Sequence, residues 1–206
     1  MKITLPKIYP ITYTNISRLS HLEQVVRLIS GGASVIQLRD KSAAAGEFHR
    51  SASEIVDYAH RHGAKIIIND RVDVALTARA DGVHLGQDDL SPIEARKLLG
   101  PTAIIGYSTH SLEQARAALT LPIDYLAFGP IFATSTKTDT QPLVGLDGLR
   151  AVRTLDHEQA LVAIGGIDLN NATSVLSAGA DCLAVISGVL AEPSAISDTM
   201  QQLLHA

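Results

Sequence analysis

One unit recurs along this chain and limits its fold more than any other feature. A helical stretch closes on glycine, a short apolar run follows at once, and the run ends in polar residues or glycine. Gly32-Ala33-Ser34 leads into the run 35–39, Gly63-Ala64 into 65–69, and Gly179-Ala180-Asp181 into 182–187. Glycine takes the left-handed conformation that ends a helix, and the next strand starts directly. The stretches 35–38 and 66–68 are apolar without alternation, as in parallel strands covered on both faces. Following the unit through the chain predicts eight strands, at 8–13, 35–39, 65–69, 82–85, 103–107, 125–128, 161–165 and 182–187.

The intervening segments carry helical periodicity. Leu22, Val25, Val26 and Ile29 form one apolar stripe, and Phe48, Ala52, Ile55, Val56 and Ala59 another. Ser91-Pro92-Ile93-Glu94 has the form of a capping box with proline at the first helical position; Ser20 with Glu23 and Ser111 with Gln114 are further candidates. Strict β/α alternation with short loops makes a parallel sheet. Eight units favour closure into a (β/α)₈ TIM barrel of the α/β class over an open doubly wound sheet. With 206 residues, the whole chain, 1–206, is expected to be one barrel domain.

Composition narrows the function. Hydrophobic residues make up 46% of the chain and aromatics 4%, with no Trp, so an aliphatic core is expected. The net charge of −4 argues against an extended nucleic-acid surface and for a local anion pocket. The one cysteine, Cys182, sits in an apolar run and reads as core filler in a reducing compartment. No stretch has the length of a signal or a membrane span, so a cytoplasmic protein with no membrane partner is expected. A homo-oligomer is compatible with all of this.

In a barrel, chemistry gathers at the C-terminal ends of the strands, and unusual polar residues lie there. Strand two ends Gln37-Leu38-Arg39-Asp40-Lys41, where alternation puts Gln37, Arg39 and Lys41 on the face toward the mouth. Two cations and an amide suit an anionic ligand. Asp70 follows Asn69 at the end of strand three, and Asp89 follows strand four on the adjacent loop. Together they suit Mg²⁺ held partly by a substrate phosphate; singly, each reads equally as a helix cap. His84 has no second soft ligand nearby and reads as a hydrogen-bonded strand-end residue. Ser108 reads as a hydrogen-bond donor, since no acyl-transfer pattern surrounds it. After strand six, Thr134-Ser135-Thr136-Lys137 could clamp an oxyanion or be a solvated loop. Gly165, Gly166 and Gly188, at the ends of strands seven and eight, allow backbone to approach a phosphate. The rim therefore carries two candidate anion sites, one for a metal-bound diphosphate and one for a monophosphate.

Six motifs in this order resemble the thiamine-phosphate synthase family: Gln37-Leu-Arg-Asp-Lys41, Ile68-Asn-Asp-Arg71, Gly82-Val-His-Leu-Gly-Gln-Asp-Asp89, Tyr107-Ser-Thr-His110, Gly129-Pro-Ile-Phe-Ala-Thr-Ser-Thr-Lys137 and Ala163-Ile-Gly-Gly-Ile167. The resemblance runs from Tyr9 to about Val189. It implies a Mg²⁺-dependent transferase, with one ion per subunit, acting on two small molecules. The hydroxymethylpyrimidine group would pass from its diphosphate ester to thiazole phosphate, giving thiamine phosphate and diphosphate. By the family pattern Gln37, Leu38, Arg39, Asp40, Lys41, Asn69, Ser108 and Lys137 contact the pyrimidine diphosphate. Of these, Arg39, Lys41, Ser108 and Lys137 take catalytic roles. Asp70 and Asp89 hold the metal, and Thr134, Ser135, Thr136, Gly166, Ile186 and Ser187 contact the thiazole phosphate. Two departures stand out: Asp40 replaces the usual Glu at a position expected to point away from the mouth, and Tyr13 replaces an Asp.

Three alternatives compete. A thiazole tautomerase of the same fold carries His at the position of Ser108 and has lost the diphosphate-binding residues, which are present here. A phosphosugar isomerase or aldolase needs a strand-end Glu or Schiff-base Lys, and none stands out. The third, a non-catalytic sensor of thiamine precursors, has no use for intact metal and leaving-group residues.

Overall fold

The computed structural model describes residues 4–134, 142–155 and 158–206. Eight parallel strands form one sheet: β1 (Ile8–Pro10), β2 (Val35–Leu38), β3 (Lys65–Asn69), β4 (Gly82–Leu85), β5 (Ile104–Thr109), β6 (Tyr125–Phe128), β7 (Ala160–Ile164) and β8 (Cys182–Val185). Helices fill the connections: α1 (Thr14–Ser17), α2 (His21–Ser30), α3 (Ala45–Arg61), α4 (Val72–Thr77), α5 (Pro92–Leu99), α6 (Leu112–Ala118), α7 (Gly145–Arg153), α8 (Ala172–Ser177), α9 (Ser187–Leu190) and α10 (Ile196–His205). The ladder runs β1-β8-β7-β6-β5-β4-β3-β2. The ring closes where Ile11 bridges Gln37 and the Thr12 N–H donates to the Gln37 carbonyl at 2.9 Å. This is the (β/α)₈ barrel expected from the repeated unit. No described helix is long and apolar enough to cross a membrane.

Local chemistry explains the elements. Phe48, Ala52, Ile55, Val56 and Ala59 are all buried, so the stripe read from the sequence is the inner face of α3. Ser20 and Glu23 form the complete reciprocal capping box of α2. The other two candidates are half boxes. Ser91 and Ser111 accept the N–H three residues on, while Glu94 pairs instead with Lys97 at 2.7 Å and Gln114 accepts from the His110 N–H at 2.7 Å.

Four expectations need correction. β1 stops at Pro10 because Tyr13 turns into α1 as its cap, and β8 stops at Val185 because Ser187 opens α9. β5 runs on to Thr109, carrying Ser108 inside the strand. The core is also not purely aliphatic: Tyr9, Tyr125, Phe48 and Phe128 are among its largest fully buried side chains. Cys182 is buried core as expected, and burial pushes its thiol up.

Candidate active site at the strand ends

The C-terminal ends of the strands surround a cleft of about 610 Å³, lined by Gln37, Asn69, His84 and Ser108 at its floor and by Arg39, Lys41, Asp70 and Asp89 at its wall. The floor is polar and buried. Gln37, Asn69, His84 and Ser108 are each under a tenth exposed. His84 Nε2 lies 2.8 Å from the Ser108 hydroxyl, and His84 Nδ1 lies 2.9 Å from the Tyr125 hydroxyl. Asn69 differs: its Nδ2 is buried without a hydrogen-bond partner. An unpaired buried amide N–H costs about 1–3 kcal/mol, and here it borders the cleft, where a ligand acceptor can satisfy it.

The acidic wall is built from two neighbouring loops. Asp70 takes φ 64°, in the left-handed region, while its N–H donates to the His84 carbonyl at 2.8 Å. Its carboxylate faces Lys41, with 3.3 Å between Oδ2 and Nζ. Asp89 accepts the Gly86 N–H at 2.7 Å. Burial raises the Asp89 carboxyl above its ordinary value, and the charge of Asp70 adds to the rise. Neither carboxylate caps a helix. The cap of α4 is Arg71, with no side-chain bond, and α5 is capped by Ser91. The ambiguity left by the sequence is thereby narrowed: two carboxylates repel each other at one place and lack a capping role. Such a pair fits a hard divalent cation, which would relieve the repulsion. Among the described residues, no cluster of three or more His, Cys, Asp or Glu could hold a metal ion.

Arg39 is 8% exposed, and its guanidinium carbon sits 5.2 Å from the centre of the Tyr13 ring. Stacking on an aromatic face keeps this cation aimed without neutralising it. Lys41 stands beyond the strand end, with 59% of its side chain exposed. Its loop is shaped by Asp40, which accepts the Ser42 N–H at 2.8 Å and the Ala43 N–H at 2.9 Å and contacts His21 Nε2 at 3.3 Å. Partial burial raises the Asp40 carboxyl, but these donors outweigh it and hold it below the ordinary value. Asp40 stands at the edge of the cleft, with its carboxylate engaged by its own loop and by His21. The Leu38 side chain lies on the face that alternation turns away from the mouth and is fully buried in the core.

The second candidate anion region lies across the mouth. Gly165 and Gly166 take φ 108° and 62°. A Cβ on Gly166 would come within 2.6 Å of the Ala133 carbonyl oxygen, so only glycine fits. The loop after β6 is tied to β7 here, with Ile131 N–H donating to the Ile164 carbonyl at 2.9 Å and Phe132 N–H to the Gly165 carbonyl at 3.0 Å. That brings the chain leading to Thr134 alongside Gly166. Ile186 lines the cleft and Ser187 follows it at the start of α9. Ser135, Thr136 and Lys137 lie outside the described residues. Reading by residue type overlooked Gln87, whose Nε2 donates to the Ser108 carbonyl at 2.6 Å, and His110, whose Nδ1 lies 2.6 Å from the Gly129 carbonyl. Both line the cleft. Their signal, a polar residue just past a strand end, was present but common.

Comparison with known proteins bears on this geometry directly. Residues 8–189 match the family model described as thiamine monophosphate synthase. The chain is 46% identical over 187 residues to a thiamine-phosphate synthase of Chloroflexus aurantiacus, covering 90% of this chain and 85% of that protein. It is 42% identical to one of Koribacter versatilis, covering 99% and 98%. Among solved structures, a thiamine phosphate pyrophosphorylase from Pyrococcus furiosus superposes with a TM-score of 0.86 at 35% identity, covering 96% of this chain and 93% of that one. The chain belongs to the thiamine monophosphate synthase family.

Proposed function

We propose that this cleft is the active site of a thiamine-phosphate synthase. In the reaction, the bond between the pyrimidine methylene carbon and the diphosphate oxygen breaks, and its electron pair leaves with diphosphate. The thiazole nitrogen lone pair then forms the new C–N bond, giving thiamine phosphate. The observation that carries the proposal is the pairing of two converging carboxylates, Asp70 and Asp89, with Arg39 and Lys41 above a buried polar floor.

Each residue has a task in this reading. Asp70 and Asp89 would hold Mg²⁺, leaving its other positions for water and substrate phosphate. When bound, the ion supplies positive charge at the departing diphosphate oxygens. Arg39 and Lys41 add to that charge from the β2 end, and Lys137 takes the same role from the loop after β6. Gln37, Asn69 and Ser108 grip the pyrimidine, with the unpaired Asn69 Nδ2 offering a donor to a ring nitrogen. Gly166, Ile186 and Ser187, across the mouth, bind the thiazole phosphate, and Thr134, Ser135 and Thr136 are assigned to the same phosphate by the family pattern. No general acid or base is required, because the leaving group departs as an anion and the nucleophile carries no proton. The cleft's contribution is alignment and charge stabilisation.

The test uses purified protein, both substrates and Mg²⁺, with chromatographic detection of thiamine phosphate. Product with both substrates, and none when either is omitted, is expected. Absence of product under these conditions overturns the reading.

A further inference from the structure

The barrel interior holds a continuous chain of buried hydrogen bonds whose middle members, Tyr9, Tyr125 and His84, have no task in the reaction outlined above. Gln37 Nε2 donates to the Tyr9 hydroxyl at 3.1 Å; Tyr9 and Tyr125 hydroxyls lie 3.0 Å apart; Tyr125 meets His84 Nδ1 at 2.9 Å; His84 Nε2 meets Ser108 Oγ at 2.8 Å. The chain thus links strands β2, β1, β6, β4 and β5 and ends on a hydroxyl that borders the cleft. Its geometry is built rather than incidental. The two phenol rings meet edge to face, 5.8 Å apart at 87°. Gly106 makes the room: a Cβ there would come within 1.9 Å of the Tyr125 ring. Burial drives both phenols well above their ordinary values, so both keep their protons.

The polarity of this chain follows from counting donors. The Gln37 amide nitrogen can only donate, so the Tyr9 oxygen accepts from it. If Tyr125 also donated to Tyr9, the Tyr9 proton would have no acceptor in a fully buried position, which is costly. Tyr9 therefore donates to Tyr125, and Tyr125 donates to His84 Nδ1. That leaves the His84 proton on Nε2, donating to Ser108 Oγ, so the Ser108 proton is turned out toward the cleft. A doubly protonated His84 would reverse the Tyr125 hydroxyl and strand the Tyr9 proton again. We infer that Tyr9 and Tyr125 are positioning residues, buried beneath the cleft, that fix the His84 tautomer and so make Ser108 a hydrogen-bond donor to the bound pyrimidine. The opposite amide orientation of Gln37 would reverse every bond and make Ser108 an acceptor, so the polarity is measurable.

The part about the pyrimidine rests on the synthase reading; the tautomer does not, and two measurements separate them. Imidazole ¹⁵N NMR of the wild-type protein, with His84→Gln for assignment, is expected to show His84 protonated at Nε2 alone. Protonation at Nδ1 overturns the polarity whatever the enzyme's activity. In kinetics, Tyr125→Phe is expected to lower kcat/KM for the pyrimidine diphosphate about tenfold, while KM for the thiazole phosphate stays unchanged. In a Ser108→Ala background, the same substitution should have almost no further effect. An equal tenfold loss in both backgrounds would assign Tyr125 to packing alone and overturn its positioning role. If the Tyr125 variant does not fold, Tyr9→Phe, one bond further from Ser108, is read in the same cycle by the same criterion.

Discussion

Asp70 holds a conformation that costs a non-glycine residue about 1–2 kcal/mol, and it does so at the mouth of the cleft with φ 64°. Asn tolerates the left-handed region, so Asp70→Asn should keep the loop and remove only the charge. Diphosphate release is expected to fall at least about 100-fold in a steady-state assay, with the melting temperature close to wild type. Asp89 predicts a separation of stability from activity. Burial raises its carboxyl, and Asp70 adds to the effect. Because the folded value lies above the unfolded one, stability is lost as pH rises through the carboxylate range, and at neutral pH the ionised group opposes folding. Asp89→Asn should therefore raise the stability of the metal-free protein at neutral pH, while abolishing activity. Thermal melts with EDTA check the first half. For the wild type, apparent Mg²⁺ affinity in titrations should weaken as pH falls into the range where Asp89 takes up its proton.

The elements are clamped at the other end of the barrel by a device used three times. Asp81, Asp124 and Asp181 each stand just before an even-numbered strand and accept the N–H of Ile66, Ile105 and Leu161 near the start of the preceding odd strand, at 2.9, 2.7 and 2.8 Å. Each also meets a cationic or ionisable side chain of the helix that leads into that odd strand: His60 of α3 at 2.9 Å, Arg96 of α5 at 2.7 Å and Arg153 of α7 at 2.9 Å. One carboxylate thus joins two strands and a helix, far from the cleft. Asp124→Ala should cost about 1–3 kcal/mol in denaturant unfolding and leave both KM values unchanged. The strands themselves were legible because a buried parallel strand is an apolar run between glycine and polar residues. Ends set by tertiary context were not. Tyr13 turns the chain into α1, and β5 carries Ser108 within the strand. The Tyr9–Tyr125 link was equally hidden, since pairing 116 residues apart leaves only one local trace, a glycine at position 106 in mid-strand.

At the scale of the molecule, the barrel brings to one mouth residues from strand ends spread along nearly the whole chain. Residue type and position at a strand end were enough to pick out Gln37, Arg39 and Ser108, and the family resemblance added Asn69; the structure places all four around the cleft. Sequence could not choose between capping and metal binding for Asp70 and Asp89, because both roles ask for a carboxylate just before a helix. The structure removes the capping role: α4 has no side-chain cap and α5 uses Ser91. The central claim is that these two carboxylates hold the cation that lets diphosphate leave. Its most direct test is a Mg²⁺ titration of diphosphate release with both substrates present, comparing wild type with Asp70→Asn and Asp89→Asn. The account predicts saturable Mg²⁺ activation of the wild type, loss of its activity in EDTA, and no activation of either variant in the same range. Undiminished release in EDTA, or wild-type activation curves in both variants, would contradict it.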